Sequence, residues 1–457
     1  MSSSSWLSTA WRTVSRIFAV GQHQAATNQY PLTQEQRDSK RQPFIYSIDQ
    51  DAVRALASRH NDEEPSRILA SDSGSFNVCF FIEFPNSHTR WVVRIPIEPV
   101  IYDVWTKLQS EVVTMRPTTQ AYLILDFFPG QPLDLQALAK DTAARRKHFY
   151  TQLLGVMAQL RQLEFATAGS LMPDHDGGPV PVIGNVLSIS INELQINRSE
   201  ATSPSIFSSA TSFALYQHKL MSEAYRLPKS ELSRQTAELE LFALNHLQQL
   251  IPEIIASEWD SGPFMLSHSD LRPANIIVDD DLNIRSIIDW EWACTVPRQF
   301  FMPPSWITAQ NLGYTTGMDR DKTFLEFRQV LEAKASSSGL YCQLADEWGP
   351  DLPNTLVLPL AEILQHHSNL IHIYYKCVFP QSFQKPRDEV IAGFFQDSSQ
   401  RSRNHASEVQ QRIINSERYT QHLKDNGLYV PDEEARQARE WLEKARQLQE
   451  KLGIDKI

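Results

Sequence analysis

At 457 residues and 52.3 kDa, with 42% apolar residues, the chain is long enough for about three domain-sized units and apolar enough to bury their cores, which excludes a mostly disordered protein. Forty-three Lys and Arg against 54 Asp and Glu leave a net charge of −11 and a pI near 5.7, a surface that repels phosphate backbones, so no nucleic-acid partner is expected. No run of 18 or more apolar residues occurs, so no membrane span is expected, and Cys79, Cys294, Cys342 and Cys377 are too scattered for a zinc site or a disulfide framework.

The first 34 residues contain no Asp or Glu, and Trp6, Leu7, Ala10, Trp11, Val14, Ile17 and Phe18 recur there at helical spacing beside Arg12 and Arg16. Two readings stand side by side: an amphipathic transit peptide with a mitochondrial address, or a mobile tail that docks its aromatics on a cytoplasmic protein. Residues 1–46 are therefore set apart as a flexible segment. From Ser47 the chain reads as folded, with a short helix over 51–59 and strand-like runs over 66–70 and 77–84 joined by a polar, glycine-bearing turn. A third strand covers 90–95 and ends at Pro96. Residues 102–115 have helical spacing with Val104, Leu108, Val112 and Met115 on one face, and 121–128 form a nearly continuous apolar strand that Pro129-Gly130 breaks.

Beyond this point helices dominate. A core stripe of Phe149, Leu153, Val156, Met157, Leu160 and Leu163 marks a helix over 145–165. Residues 173–209 read as loop with one or two short strands, 237–255 as an amphipathic helix, and 356–377 as one or two buried helices. Asp432 caps a last helix that Gly453 stops. The pattern is α+β: a small sheet-rich unit over 47–130, a larger, mainly helical one over 131–380, and a helical extension over 381–457.

The most informative stretch is 264–293, FMLSHSDLRPANIIVDDDLNIRSIIDWEWA. Two β-favouring runs, Ile276-Ile277-Val278 and Ser286-Ile287-Ile288, flank an Asp-rich turn and read as a hairpin. A hairpin brings its ends together, which places Asp270, Asn275 and Asp289 near one another. Two carboxylates and an amide oxygen are hard ligands that suit Mg²⁺ bridging to phosphates. The spacing His268-x-Asp270-x4-Asn275-x13-Asp289 is that of kinase phosphoryl transfer. Turn capping by Asp and Asn explains Asp279 to Asp281 but not the joint spacing of the other three.

This stretch resembles the catalytic core of the aminoglycoside phosphotransferase and choline kinase-like family, in particular a fungal-type branch of it. His268-Ser269-Asp270-Leu271-Arg272-Pro273-Ala274-Asn275 corresponds to the family's HxDLxxxN loop, and Ile288-Asp289-Trp290-Glu291 to its IDWE. The resemblance implies a two-lobed, protein-kinase-like fold that takes ATP or another nucleoside triphosphate with Mg²⁺ and phosphorylates a hydroxyl of a small-molecule acceptor. It makes Asp270 the catalytic base and Asn275 and Asp289 the metal ligands. His268 would brace the loop, and Arg272 would either bind phosphate or pair with a carboxylate. For the nucleotide it implies Gly74, Ser75, Phe76 and Asn77 as the phosphate-covering turn, Arg94 with Glu111 as its partner, and Asp126 and Phe127 after the 121–128 strand. Trp290, Glu291, Trp292 and Trp306 are candidates for lining an acceptor pocket, or simply core.

Two features depart from the family pattern. Arg94 is a planar fork rather than a compact ammonium. Only ten residues, 112–121, separate Glu111 from the strand beginning at Tyr122, too few for roughly seven more residues of helix plus a strand of 5–6. The small lobe is thus expected to have one strand fewer. Two classes of function follow: an ATP-dependent small-molecule kinase, or a non-catalytic kinase-like binding or scaffold protein. A protein kinase fits less well, because Trp-Glu follows Asp289 and no APE segment is found.

Overall fold

The computed structural model describes residues 30–115, 122–174, 178, 180–197, 205–255, 257–308, 320–396 and 399–431. Two helices, α1 (Gln34–Ser47) and α2 (Gln50–His60), precede an antiparallel sheet of β1 (Arg67–Ser73), β2 (Asn77–Phe84), β3 (Thr89–Pro96) and β4 (Leu123–Asp126), in that order. The alternation of β2 decides how the sheet sits. Val78, Phe80, Ile82 and Phe84 pack with Val93 of β3 against Val53 and Ala57 of α2. The opposite face carries Cys79 and Phe81 of β2 with Val92 and Arg94 of β3, and these line a cleft. Helix α3 (Val104–Met115) follows β3 and packs Leu108 against Leu123 of β4.

The larger unit holds the extensive core. Its helices include α4 (Ala143–Arg161), α5 (Ile189–Asn197), α6 (Ala210–Arg226), α7 (Arg234–Ile254), α8 (Val357–Gln365) and α9 (Gln400–Asp425). Phe149 and Leu153 of α4, Phe213 and Leu220 of α6, Phe242 and Leu247 of α7, and Leu360 and Leu364 of α8 share one apolar cluster. Small strands fasten the cleft side: β5 (Gln131–Pro132), β6 (Glu164–Phe165), β7 (Ser170–Met172), β8 (Val182–Gly184), β9 (Phe264–Ser267), β10 (Ile276–Val278), β11 (Ile284–Ile287) and β12 (Cys294–Pro297). They pair as β11-β10-β5, β12-β9-β6 and β7-β8. The protein is α+β and two-lobed.

Several elements differ from the sequence reading. Residues 34–46, assigned to a flexible segment, belong to the helix α1. Its Thr33 hydroxyl accepts from the Gln36 amide, and the Gln36 side chain accepts from the Thr33 amide. No residue of α1 is fully buried and Pro43 lies inside it, so apolar periodicity is absent there. The nine-residue α5 stands in the stretch read as loop. Leu163 lies beyond the end of α4 and is exposed, so it does not belong to that helix's core stripe. Among the described residues the sheet has four strands, with β4 at one edge. Residues 116–121, the amphipathic 6–18 segment and the 432–453 helix lie outside the described residues.

The small lobe rests on a core of eight buried apolar residues, whereas α7 is embedded in the large cluster. Opening the small sheet should therefore take less free energy than opening the helical lobe. Amide exchange at 78–84 and 92–95 is expected to be faster than at 237–251, and uniform protection across both would contradict this.

Candidate active site

Between the lobes lies a cleft of about 2240 Å³. Strand β9 enters it from the core side, held by β12 through Ser267 opposite Cys294. His268 is buried where the chain leaves the sheet. Its Nε2 donates to the Ile288 carbonyl (2.9 Å), and its Nδ1 accepts from the Asp270 amide (3.2 Å). Burial holds the imidazole pKa down, so the neutral ring with its proton on Nε2 satisfies both contacts. This ring ties the start of the loop to the end of the hairpin, and Trp290 packs edge-on against it at 4.7 Å.

Pro273 opens a short 3₁₀ turn that delivers Asn275. The Asn275 Nδ2 donates to the Asp270 carbonyl (2.8 Å) and to its Oδ2 (3.2 Å), while the Asn275 carbonyl accepts from the Ile288 amide (2.9 Å). The β10–β11 hairpin thus brings the loop and the residue preceding Asp289 together. Burial pushes the Asp270 carboxyl up, against the pull of Arg272, whose Nε lies 3.0 Å from Oδ2. Of the two readings of Arg272, the structure shows the carboxylate partner. Asp289 adopts left-handed backbone (φ 69°), an uncommon and strained state for a non-glycine residue, and its side chain lines the cleft.

Five charged groups meet where the lobes touch. Arg94 bonds Glu111 (2.6 Å), approaches Glu291 (3.2 Å) and contacts Asp289. Lys107, one helical turn before Glu111, contacts Glu291 and lies 3.6 Å from Glu111, with its ammonium over the Trp292 ring. Asn77 adds a 2.8 Å bond from Nδ2 to Glu291. Burial works against the Arg94 charge, but Glu111, Glu291 and Asp289 outweigh it and raise its pKa. Burial pushes the Glu111 carboxyl up, and Arg94 and Lys107, both within 3.6 Å, offset this only in part. Lys107 was not singled out in the sequence, because a helical lysine ordinarily reads as solvated. Its only sequence signal is the i,i+4 spacing to Glu111. Glu291 stands in the IDWE motif and among the pocket or core candidates, with no ion-pair partner foreseen.

The turn over the cleft closes with the Gly74 amide on the Asn77 carbonyl (2.9 Å), and Phe76 packs edge-on against Trp292. At the other end, Phe127 donates its amide to the Arg90 carbonyl (3.0 Å) and packs edge-on against Phe81, while Asp126 stays exposed at the end of β4. The candidate residues derived from the sequence line this cleft except His268, Glu111, Trp290 and Trp306. Trp306 is core: fully buried, it donates its indole N–H to the Leu271 carbonyl (3.0 Å) and supports the loop.

Among the described residues no group of three or more His, Cys, Asp and Glu has metal-binding geometry. With its amide nitrogen committed to Asp270, Asn275 leaves Oδ1 without a donor among those residues, and one oxygen of Asp289 is likewise unbonded. Such a pair suits a hard cation completed by phosphate oxygens and water.

Residues 105–300 match the phosphotransferase enzyme family (APH). That stretch runs from α3 through the catalytic-type loop and hairpin, so the resemblance read there holds, and the match places the chain among phosphotransferase enzymes. None of the curated protein sequences matches the chain. Similar solved structures include an ethanolamine kinase from Plasmodium vivax (12% identity, 83% of this chain and 93% of that one, TM-score 0.40). A macrolide 2'-phosphotransferase from Brachybacterium faecium is 16% identical over 65% of this chain and 95% of that one, with TM-score 0.32. The ADP-bound aminoglycoside phosphotransferase APH(2'')-Ib is 12% identical over 80% and 98%, with TM-score 0.38.

Removing Lys107 leaves Glu291 and Glu111 buried with one cation fewer. Lys107→Met is expected to lower the unfolding free energy by about 3–5 kcal/mol in urea titrations, and adding Glu291→Gln should restore part of it. A loss under about 1 kcal/mol, the range of surface changes, would show that Glu291 is reached by water.

Proposed function

We propose that this chain, a phosphotransferase by its match over residues 105–300, moves the γ-phosphoryl group of ATP or another nucleoside triphosphate to a hydroxyl of a small molecule, with Mg²⁺ and with Asp270 as base. The observation that carries this reading is the arrangement at the hairpin end. A half-buried carboxylate faces the cleft, hydrogen-bonded to an asparagine that lines the same cavity as Asp289 and whose carbonyl accepts from the amide of Ile288, the residue before Asp289. Phosphoryl transfer asks the protein mainly for position and counter-charge.

In this reading Asp270 orients the acceptor hydroxyl and takes its proton. Asn275 holds the Asp270 carboxylate from one side and Arg272 from the other, so its lone pairs keep a fixed direction. Asn275 Oδ1 and Asp289 would hold Mg²⁺, whose contribution is to screen the phosphate charge. His268 keeps the loop and the hairpin in register without exchanging a proton. Gly74 to Asn77 cover the phosphates, and Asp126 and Phe127 flank the nucleotide base at the far end of the cleft. Glu193 of α5 and His366 line the opposite half, where an acceptor would enter.

One observation favours the second reading, a non-catalytic kinase-like binding protein: Arg94 contacts Asp289 and so competes for a metal-ligand oxygen. Mg²⁺-dependent nucleotide binding separates the two. A protein that binds nucleotide equally with and without Mg²⁺ fits the scaffold.

Asp270→Asn keeps the size and removes the proton acceptor. It should lower turnover by about 10²–10⁴-fold while MgATP affinity stays near wild type. Because burial raises the Asp270 pKa, the ionised form is disfavoured in the fold, so the substitution should leave stability unchanged or higher at neutral pH. Wild-type turnover in the variant would refute the base assignment. Asp289→Ala, in contrast, should weaken MgATP binding itself; equal affinity would reduce Asp289 to a hairpin-end residue.

The pH profile gives an independent check. The base works only when ionised, and its pKa is raised, so activity should fall as pH drops through a value above the ordinary Asp value of about 3.9. An acid limb at or below that value would contradict the assignment.

A further inference from the structure

The phosphate half of the cleft poses a charge problem. Arg94, the expected phosphate cation, already faces Glu111, Glu291 and Asp289. Arg272 is paired with Asp270, and Lys229, further along the wall, with Glu240. A nucleotide tail bearing several negative charges would meet cations that are already neutralised.

Helix α1 adds Arg37, Lys40 and Arg41 to the lining; Arg37 is turned to the Leu32 carbonyl, and Arg41 is the one hydrogen-bonded to the turn over the cleft. The segment before α1 is anchored on the helical lobe: Tyr419 of α9 donates its hydroxyl to the Pro31 carbonyl (3.2 Å), and the Leu32 amide donates to Asn197 Oδ1 of α5 (3.2 Å). The Tyr30 ring packs on Tyr419 and His422. From there α1 crosses the mouth of the cleft and seats Phe44 and Ile45 against the small-lobe core. On the way Arg41 reaches the turn over the cleft, where its Nη2 donates to the Gly74 carbonyl (2.6 Å) and to Ser73 Oγ (3.4 Å). Among the described residues no carboxylate lies within 4.0 Å of the Arg41 guanidinium, its Nε is covered without a partner, and its Nη1 makes no hydrogen bond. Arg41 lines the same cavity as Gly74, Arg94 and Asp289.

We propose that Arg41 is a phosphate-binding residue delivered to the nucleotide by α1, so that the N-terminal helix is a working part of the active site. This rests on the nucleotide reading of the cleft. One edge of the guanidinium is fixed on the turn, and the other N–H groups are left for the outer phosphate oxygens. A rigid fork held at one edge loses little freedom on bonding an oxyanion. The position between the acceptor half, where residues 30–32 are anchored, and the turn places this charge near the phosphate that is transferred.

Titration calorimetry on the full chain with MgATP, MgADP and adenosine tests the proposal. Arg41→Ala should weaken MgATP by about tenfold, the worth of one charge-assisted bond, and leave adenosine unchanged. Arg41→Lys should recover much of the loss, since the charge returns without the fork. Equal weakening of adenosine and MgATP would show that Arg41 merely ties down the turn, and unchanged MgATP affinity would show that it makes no contact; either result overturns the proposal. Wild-type protein that binds neither nucleotide would refute the reading of the cleft and this proposal with it, whereas wild-type binding with an unaffected Arg41→Ala refutes this proposal alone.

Discussion

The charged cluster at the lobe junction is the constraint on which the rest of the cleft depends. Taking an arginine, a lysine and three carboxylates out of water costs several kcal/mol per ion, and their mutual attraction offsets this only where geometry is good and remaining polar atoms are bonded. Here Arg94 and Lys107 come from the small lobe, Asp289 and Glu291 from the chain just after the hairpin, and Glu111 sits behind them. Neither lobe can keep its share buried without the other. Relative lobe position is therefore set by charge neutralisation as much as by apolar packing. An ion cluster is directional, so it fixes the distance from the Gly74 turn to Asp289 more closely than oily contact would.

The same cluster explains how much of the site was legible. The Asp270–Asn275–Asp289 spacing could be read because a hairpin has a fixed geometry: once β10 and β11 were recognised, their ends had to meet, and the Asn275 carbonyl indeed accepts from the Ile288 amide. The β2 pattern was legible for a similar reason, since a two-residue period assigns Val78, Phe80, Ile82 and Phe84 to one face. Lys107 and Glu291 were not legible as a pair. Their contact is made across 184 positions by tertiary folding, and each side chain alone reads as ordinary surface. Helix α1 escaped because its stability comes from a capping box and from partly buried residues near its end, not from a continuous apolar stripe.

The charge distribution also bears on how the cleft can change state. With its amide nitrogen on Asp270 and its carbonyl on Ile288, Asn275 is fixed from two directions, as is His268. Asp289 is fixed differently: one oxygen faces Arg94, and its left-handed backbone stores strain. A divalent cation arriving on the free oxygen would compete with the guanidinium for the same charge. Arg94 retains Glu111 and Glu291 if that contact loosens, so it would remain neutralised and in place. The cluster thus has an excess of carboxylate over cation, three against two, and the unmatched charge sits at the cleft end of the network. Introducing positive charge from the cleft is then favourable without dismantling the junction. This is why the ion pair on Asp289 is compatible with metal binding, and why the side of the cluster that faces the cleft, rather than its buried side, is where chemistry can be added to the fold.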